Sequence, residues 1–552
     1  MGKEDAEDSN DGQRRELEVI TSRALTNPGG KDFPPLSEMV SRSIANIEAS
    51  NQLSTLHRVG EHELHDPDYR LVCAWAEETG WSNEEVLEFL LDGTFEMLAG
   101  GSNALDPLGI SSVFSAQTEI SEGRFVRLLL RGPLNWLPSV EGLEVTQLRC
   151  KRDSVSKLDL TPVPKLEILY CSPNNLTELD LTPVPNLVHL DCSYNNLTEL
   201  DLAPVPNLLW LRCRENNLTK LDLTPVPKLE KLNCDVNKLT ELDLTPVPNL
   251  KSLACAETNL TELDLNPVPK LEKLFCWGNN LSELDLTPVP ELDYLSCRTN
   301  NLSELDLTPV PELRTLDCSR NNLTELDLTP VPELGTLDCS RNNLTELDLT
   351  PVPGLWELHC DTNKLSELDL TPVPDLEILR CDSNNLTELD LTPVSYLREL
   401  YCNANKLSEL DLTPVPNLKE LFCSCNNLTE LDLTPVPDLW QLRCYTNKLS
   451  ELDLTPVPDL EILRCDSNNL TELDLYPVPN LKLFRCGENN LTELDLTPVP
   501  NLKELFCTNI NITELDLTPV PNLEALYCSR NNLTELDLTP VINLKKLNGE
   551  DY

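Results

Sequence analysis

Nine residues in the second half of the chain recur every 21 positions, each one place before a cysteine: His359, Arg380, Tyr401, Phe422, Arg443, Arg464, Arg485, Phe506 and Tyr527. None is acidic and eight are arginine or aromatic, in a chain whose formal net charge is −49. Such side chains dominate protein interfaces, because they offer large contact area and planar hydrogen-bond donors. If one period is one coil of a stacked array, neighbours in this column stand about 4.8 Å apart. The run from Arg380 to Tyr527 then spans roughly 34 Å, the reach of an extended peptide of about ten residues. Its chemistry suits a protein or peptide ligand with acidic side chains and apolar anchors. Earlier members of the column, from Arg149 through Asp191, Asn233 and Ser296 to Asp338, mix charge signs and small residues. Residues 354–437 resemble 438–521 at an offset of 84, so duplication explains part of the column's coherence.

Other residues offer little chemistry. There are five histidines. His57, His62 and His65 lie among acidic residues, and His62-x-x-His65 could reach a metal, but an exposed polar turn is the simpler account. His189 and His359 stand alone on repeat strands without a nucleophile beside them. CxxC and Cys/His zinc spacings and a phosphate-cradling glycine loop are absent, so we expect no catalytic residues, no metal and no cofactor. Two acidic columns run through the repeats, glutamate at Glu178, Glu199 and on to Glu535, and aspartate from Asp159 to Asp537. Cations could bind along them; solvated charge that keeps a long array soluble needs fewer assumptions.

The element that must position these side chains is a 21-residue unit, shown by Leu187 to Asn207. Its cysteine falls at 150 and every 21 residues to Cys528, nineteen in strict register. A fixed period of this length marks a solenoid. Within the unit, Leu-x-x-Leu-x-Cys alternates like a half-buried strand that turns at the asparagine, and the cysteine reads as a small buried hydrophobe. Glu-Leu-Asp-Leu then leads to Pro-Val-Pro, whose prolines cannot donate to a ladder. That corner is a turn or polyproline segment, and a helix there is excluded.

The segment Leu187-x-x-Leu190-x-Cys192-x-x-Asn195-x-Leu197 resembles the leucine-rich repeat, and Thr198-Glu199-Leu200-Asp201-Leu202 resembles its nested 21-residue bacterial class. The resemblance covers about 400 residues. It implies a repeat solenoid, a superhelix with a parallel β-sheet on the concave face and a proline-rich, non-helical convex side. It also implies an asparagine ladder bonding backbone between coils, in doubt at Asp153, Thr258 and Ile510, and a superfamily that mostly binds proteins.

Before the repeats, residues 1–35 read as a flexible leader with a short possible helix around Leu17 to Leu25. Residues 36–105 read as a small helical domain or cap: Tyr69, Val72, Cys73 and Ala76 share a helical face, Ser82 with Glu85 forms a capping box, and Gly100-Gly101 stops the run. Residues 106–144 read as an irregular first coil with a strand at Phe125–Leu130, and the solenoid occupies 145–552 with a partial last coil. Its edge is expected to be open at Lys545-Lys546, defended by charge, and the chain to be a monomer. The acidic balance argues against nucleic acid and anionic membranes as partners, and no apolar stretch is long enough to span a bilayer. The start lacks an apolar signal segment and the cysteines read as reduced, so the cytoplasm is the expected home, with signal-independent secretion left open. The reading is a non-catalytic binding scaffold or signalling adaptor. The alternatives are a surface-exposed, adhesin-like structural array, or a specificity arm for an N-terminal helical effector.

Overall fold

The computed structural model describes residues 56–59, 62–79, 82–83, 86–87, 119–121, 124–130, 143–150, 155–548 and 550–551. The leader, Glu85, Gly100-Gly101 and Asp153 lie outside the described residues. The chain divides into two compact units, Met1–Asn279 and Asn280–Tyr552.

The first unit opens with a correction. Leu56–Val59 (β1) and His62–His65 (β2) form an antiparallel hairpin, where a helix or an exposed turn was expected. Period-two burial explains it: Val59 and Leu64 are buried, whereas the exposed Arg58 lies on the opposite side of the strand. His57 is half-buried, its ring stacked on Tyr69 at 4.2 Å and its Nε2 3.0 Å from Asp66. Helix α1, Asp66–Thr79, follows, with Pro67 and two acidic residues in its first turn, where a missing N–H and negative charge fit best. The expected apolar face is present: Tyr69, Val72 and Ala76 are buried beside Leu71 and Trp75, and Cys73 is half-buried.

Next, Glu119–Ser121 (β3) and Arg124–Leu130 (β4) pair antiparallel, and β4 runs parallel to Gln147–Cys150 (β5), the first regular strand. The strand expected at Phe125–Leu130 is therefore in place, and it begins the parallel ladder. From β5 each coil adds one three-residue strand in register, through Lys273–Phe275. In the second unit the same ladder runs from Tyr294–Ser296 to Lys546–Leu547. Glu550–Asp551 then turns back antiparallel onto Lys546–Leu547, so the edge expected to be open is covered by its own chain.

One coil accounts for all. In the coil around Cys192, the residues Leu187, Leu190, Cys192, Leu197, Leu200, Leu202 and Val205 are buried, and the equivalent positions are buried in most coils of each unit. The proline corner is two linked turns, Val184 N donating to Leu181 O and Leu187 N to Val184 O, with Val184 buried between its prolines. No described residue of 155–548 is helical. Asparagine stitches the coils. Asn216 Nδ2 donates to Cys192 O and Cys213 O, both at 3.0 Å, while its Oδ1 accepts from Leu197 N. At Thr258 the hydroxyl keeps the same-coil bond, to Cys255 O at 2.7 Å; at Ile510 the backbone N–H donates instead to Asn531.

Two columns hold features absent from the sequence reading. From Cys192 to Cys528, the residue two places after each column cysteine adopts a left-handed backbone, among them Tyr194, Val236, Arg341 and Cys425, with φ between 52° and 56° in these four. Side chains with a Cβ disfavour this by about 1 kcal/mol or more. Inter-coil bonds such as Val236 N to Ala256 O at 2.7 Å impose it. The aspartate column is more than solvated charge. Asp180 Oδ1 accepts from Thr182 N at 2.9 Å, and Asp348 likewise from Thr350 N, so each carboxylate organises the turn that leads into the proline corner.

Candidate functional site

The nine residues of the column occupy the third position of consecutive parallel strands in the second unit, paired directly from His359 to Arg380 and on to Tyr527. Strand alternation places them on the face opposite the leucine core. They do not stand free in solvent, as a column of outward residues would. Eight are half-buried and Phe422 is buried, because each covers the next.

Stacking is what covers them. Tyr401 and Phe422 lie face to face at 4.2 Å, with the Arg380 guanidinium 4.5 Å from the Tyr401 ring and that of Arg443 4.6 Å from the Phe422 ring. Four coils after Phe422, Phe506 and Tyr527 stack at 4.3 Å under Arg485, 4.2 Å from the Phe506 ring. Arg464 lies 5.3 Å from Tyr445, one column over. Each arginine of the run Arg443, Arg464, Arg485 thus rests one guanidinium face on a ring. Stacking restricts its orientation, and the Nε groups of Arg464 and Arg485 are buried. Gln441, with its amide oxygen toward the guanidinium, accepts from Arg443 Nε at 2.9 Å. Burial, and then the charge of Arg464, pull the Arg443 pKa below its ordinary value.

Acidic residues frame this run rather than fill it. Asp466 Oδ1 is 3.8 Å from Arg485 Nε; burial raises its carboxyl and the two adjacent arginines act the other way. Tyr401 donates to Glu420 at 3.0 Å. His359, read from sequence as solitary, has Glu357 3.1 Å from Nε2 and Asp338 3.8 Å from Nδ1. Burial disfavours its charge, but the two carboxylates prevail and push its pKa up to about 9. His359 therefore ends the stripe as a cation already paired.

Two earlier members of the same column, Asn233 and Ser296, are buried. A cluster that sequence reasoning missed lies in the first unit. His189 stacks on Trp210 at 4.3 Å, and Lys231 Nζ sits 4.3 Å from the same ring. All three stand three places before their cysteines, in a single column two positions before the one that the sequence reading followed. Among the described residues, no three His, Cys, Asp or Glu side chains converge to hold a metal ion. No described helix is long and apolar enough to cross a membrane.

No protein-family model and no curated protein matches the chain. Solved structures do. It is similar to the functional domain of InlJ from Listeria monocytogenes, described as including a cysteine ladder: identity is 34% and TM-score 0.51, over 63% of this chain and 74% of that one. It is also similar to YopM from Yersinia enterocolitica, with 31% identity and TM-score 0.55, over 77% and 87% respectively. The leucine-rich repeat protein LIC12759 of Leptospira interrogans shares the fold at 22% identity, with TM-score 0.54 over 66% and 96%.

Proposed function

The chain belongs to the leucine-rich repeat superfamily, and from that premise we propose that it is a non-catalytic scaffold of the signalling-adaptor kind. It holds a protein or peptide ligand with acidic side chains on the stripe from Arg380 to Tyr527. One observation carries this reading: three successive arginines, each over an aromatic ring, stand along one line of a chain that is otherwise strongly acidic. A stacked guanidinium has already lost much of its conformational freedom, so less is lost on binding a carboxylate, and the acidic surroundings repel basic competitors. The apolar anchors expected beside it have less support, since Phe422 is buried and the Tyr401 hydroxyl is engaged. The cytoplasm is the proposed home, as a monomer; sedimentation and cell fractionation with thiol counting check these points.

The test compares two triple variants of the full chain. Arg443→Ser with Arg464→Ser and Arg485→Ser removes the stripe's donors. Arg398→Ser with Lys419→Ser and Lys482→Ser removes the same charge from exposed positions off the stripe. The partner captured by the wild-type chain is identified, and its affinity for each variant measured. Loss of at least tenfold in the first and less than threefold in the second is the expected result. Equal retention makes the stripe an echo of duplication.

A further inference from the structure

The step of the stripe, rather than its length, says what conformation the ligand takes. We propose that the arginine run receives an α-helix lying along the ladder, with one acidic side chain per turn facing Arg443, Arg464 and Arg485. This rests on the reading of the stripe as the binding face, and concerns the shape of what binds there.

The three arginines are direct partners on adjacent parallel strands. Adjacent strands lie about 4.8 Å apart, so the first and third arginine are separated by about 9.6 Å along the ladder. In an extended peptide, side chains on one face recur every second residue, about 6.7 Å apart. Three of them cover about 13.4 Å, so the third carboxylate overshoots its arginine by nearly 4 Å. An α-helix rises 1.5 Å per residue, and acidic residues at i, i+4 and i+7 lie on one face. They cover about 10.5 Å, a mismatch of about 1 Å that a guanidinium fork absorbs. An extended ligand running parallel to the strands instead would meet one arginine of the run, not three. Charge supports the same occupant. Each arginine lies over a ring; Gln441 accepts from Arg443, the Nε groups of Arg464 and Arg485 are buried without a hydrogen-bond partner, and Asp466 Oδ1 lies 3.8 Å from Arg485 Nε. An acidic helix face repeated at each turn supplies the carboxylates that the run lacks.

The probes are two capped peptides of equal length and composition, measured by calorimetry against the full chain at one ionic strength. One is stapled as a helix with glutamates at positions 5, 9 and 12; the other is unstapled, interrupted by the same number of prolines that the first carries at its ends, with glutamates at 5, 7 and 9. The helical probe is expected to bind at least tenfold more tightly, and to lose that binding in the Arg443, Arg464, Arg485→Ser variant. Asp466→Asn, which removes the competing carboxylate, is expected to tighten it by threefold or more. If the extended probe binds as well or better, still dependent on the arginines, the helical ligand is wrong while the stripe stands. If neither probe binds, or both bind the triple variant unchanged, the stripe reading falls as well. Circular dichroism of each variant confirms that the array is folded.

Discussion

Asn342 reaches across one coil to Cys318: its Nδ2 donates to the Cys318 carbonyl at 3.0 Å while also donating to Cys339 O at 3.1 Å, and its Oδ1 accepts from Leu323 N at 3.0 Å. Each carbonyl has a second asparagine donor, Asn321 for Cys318 and Asn363 for Cys339. Asn342→Ala therefore leaves one buried N–H unpaired and two carbonyls half-satisfied. The expected loss is about 2–3 kcal/mol, read as a lower urea midpoint, with faster hydrogen exchange at the Leu323 amide. Asn342→Thr should lose less, because Thr258 shows a hydroxyl keeping the same-coil bond.

The leucine, cysteine and asparagine columns were legible because a residue committed to packing or to a buried bond cannot vary from coil to coil. What stayed hidden has the opposite property. The left-handed position carries Tyr194, Val236, Arg341 or Cys425 without preference, since its conformation is imposed by hydrogen bonds between coils and not by the residue itself. Within the site, the identity and order of Arg380 to Tyr527 could be read, but not their burial, which arises from each ring lying on its neighbour. The hairpin Leu56–His65 was missed because a four-residue strand beside a helix offers too few positions for its period to show.

The aspartate column predicts an acid limb. Hydrogen bonds from the following threonine hold Asp327, Asp348 and Asp369 below the ordinary carboxylate range. A pKa lowered by folding stabilises at pH above the unfolded value, near 4, and that contribution is lost as pH falls through the folded value. Replacing these three with asparagine keeps an acceptor for Thr329, Thr350 and Thr371 N–H but removes the titration. Wild type should be the more stable at pH 7 in thermal melts, with the gap to the variant closing between pH 5 and 3. A parallel decline would show that the turns do not sense the charge.

Thiol accessibility follows from burial. All 21 cysteines are unpaired; the nineteen of the column are buried, and burial pushes thiols such as Cys150 and Cys423 up to about 12. Cys425, outside the column, sits half-buried in the left-handed turn. Native protein should show one fast thiol toward a bulky reagent at pH 8, absent in Cys425→Ser, with the half-buried Cys73 slower because burial raises its pKa too. In denaturant all should react. Many fast thiols in the native state would mean that coils open far more readily than a continuous core permits.

His359 gives the last prediction, and it separates stability from binding. Burial and Arg380 oppose its charge, while Asp338 on the preceding strand and Glu357 on its own favour it, and its pKa rises to about 9. A pKa raised by folding stabilises fully below the unfolded value, near 6.5, and that contribution disappears as pH climbs through about 9. The full shift corresponds to on the order of 3 kcal/mol, less what partial solvent exposure screens away. Other groups also titrate in this window, so the measurement is the difference from His359→Gln: wild type should be the more stable at pH 6.5, with the gap closing by pH 10. Imidazole resonances should titrate near 9. Because its charge is already answered by two carboxylates, His359→Gln should change affinity for an acidic helical probe by less than twofold at pH 7. A tenfold loss would instead extend the binding run to His359, and a ring titrating at 6.5 would mean that the carboxylates do not hold it.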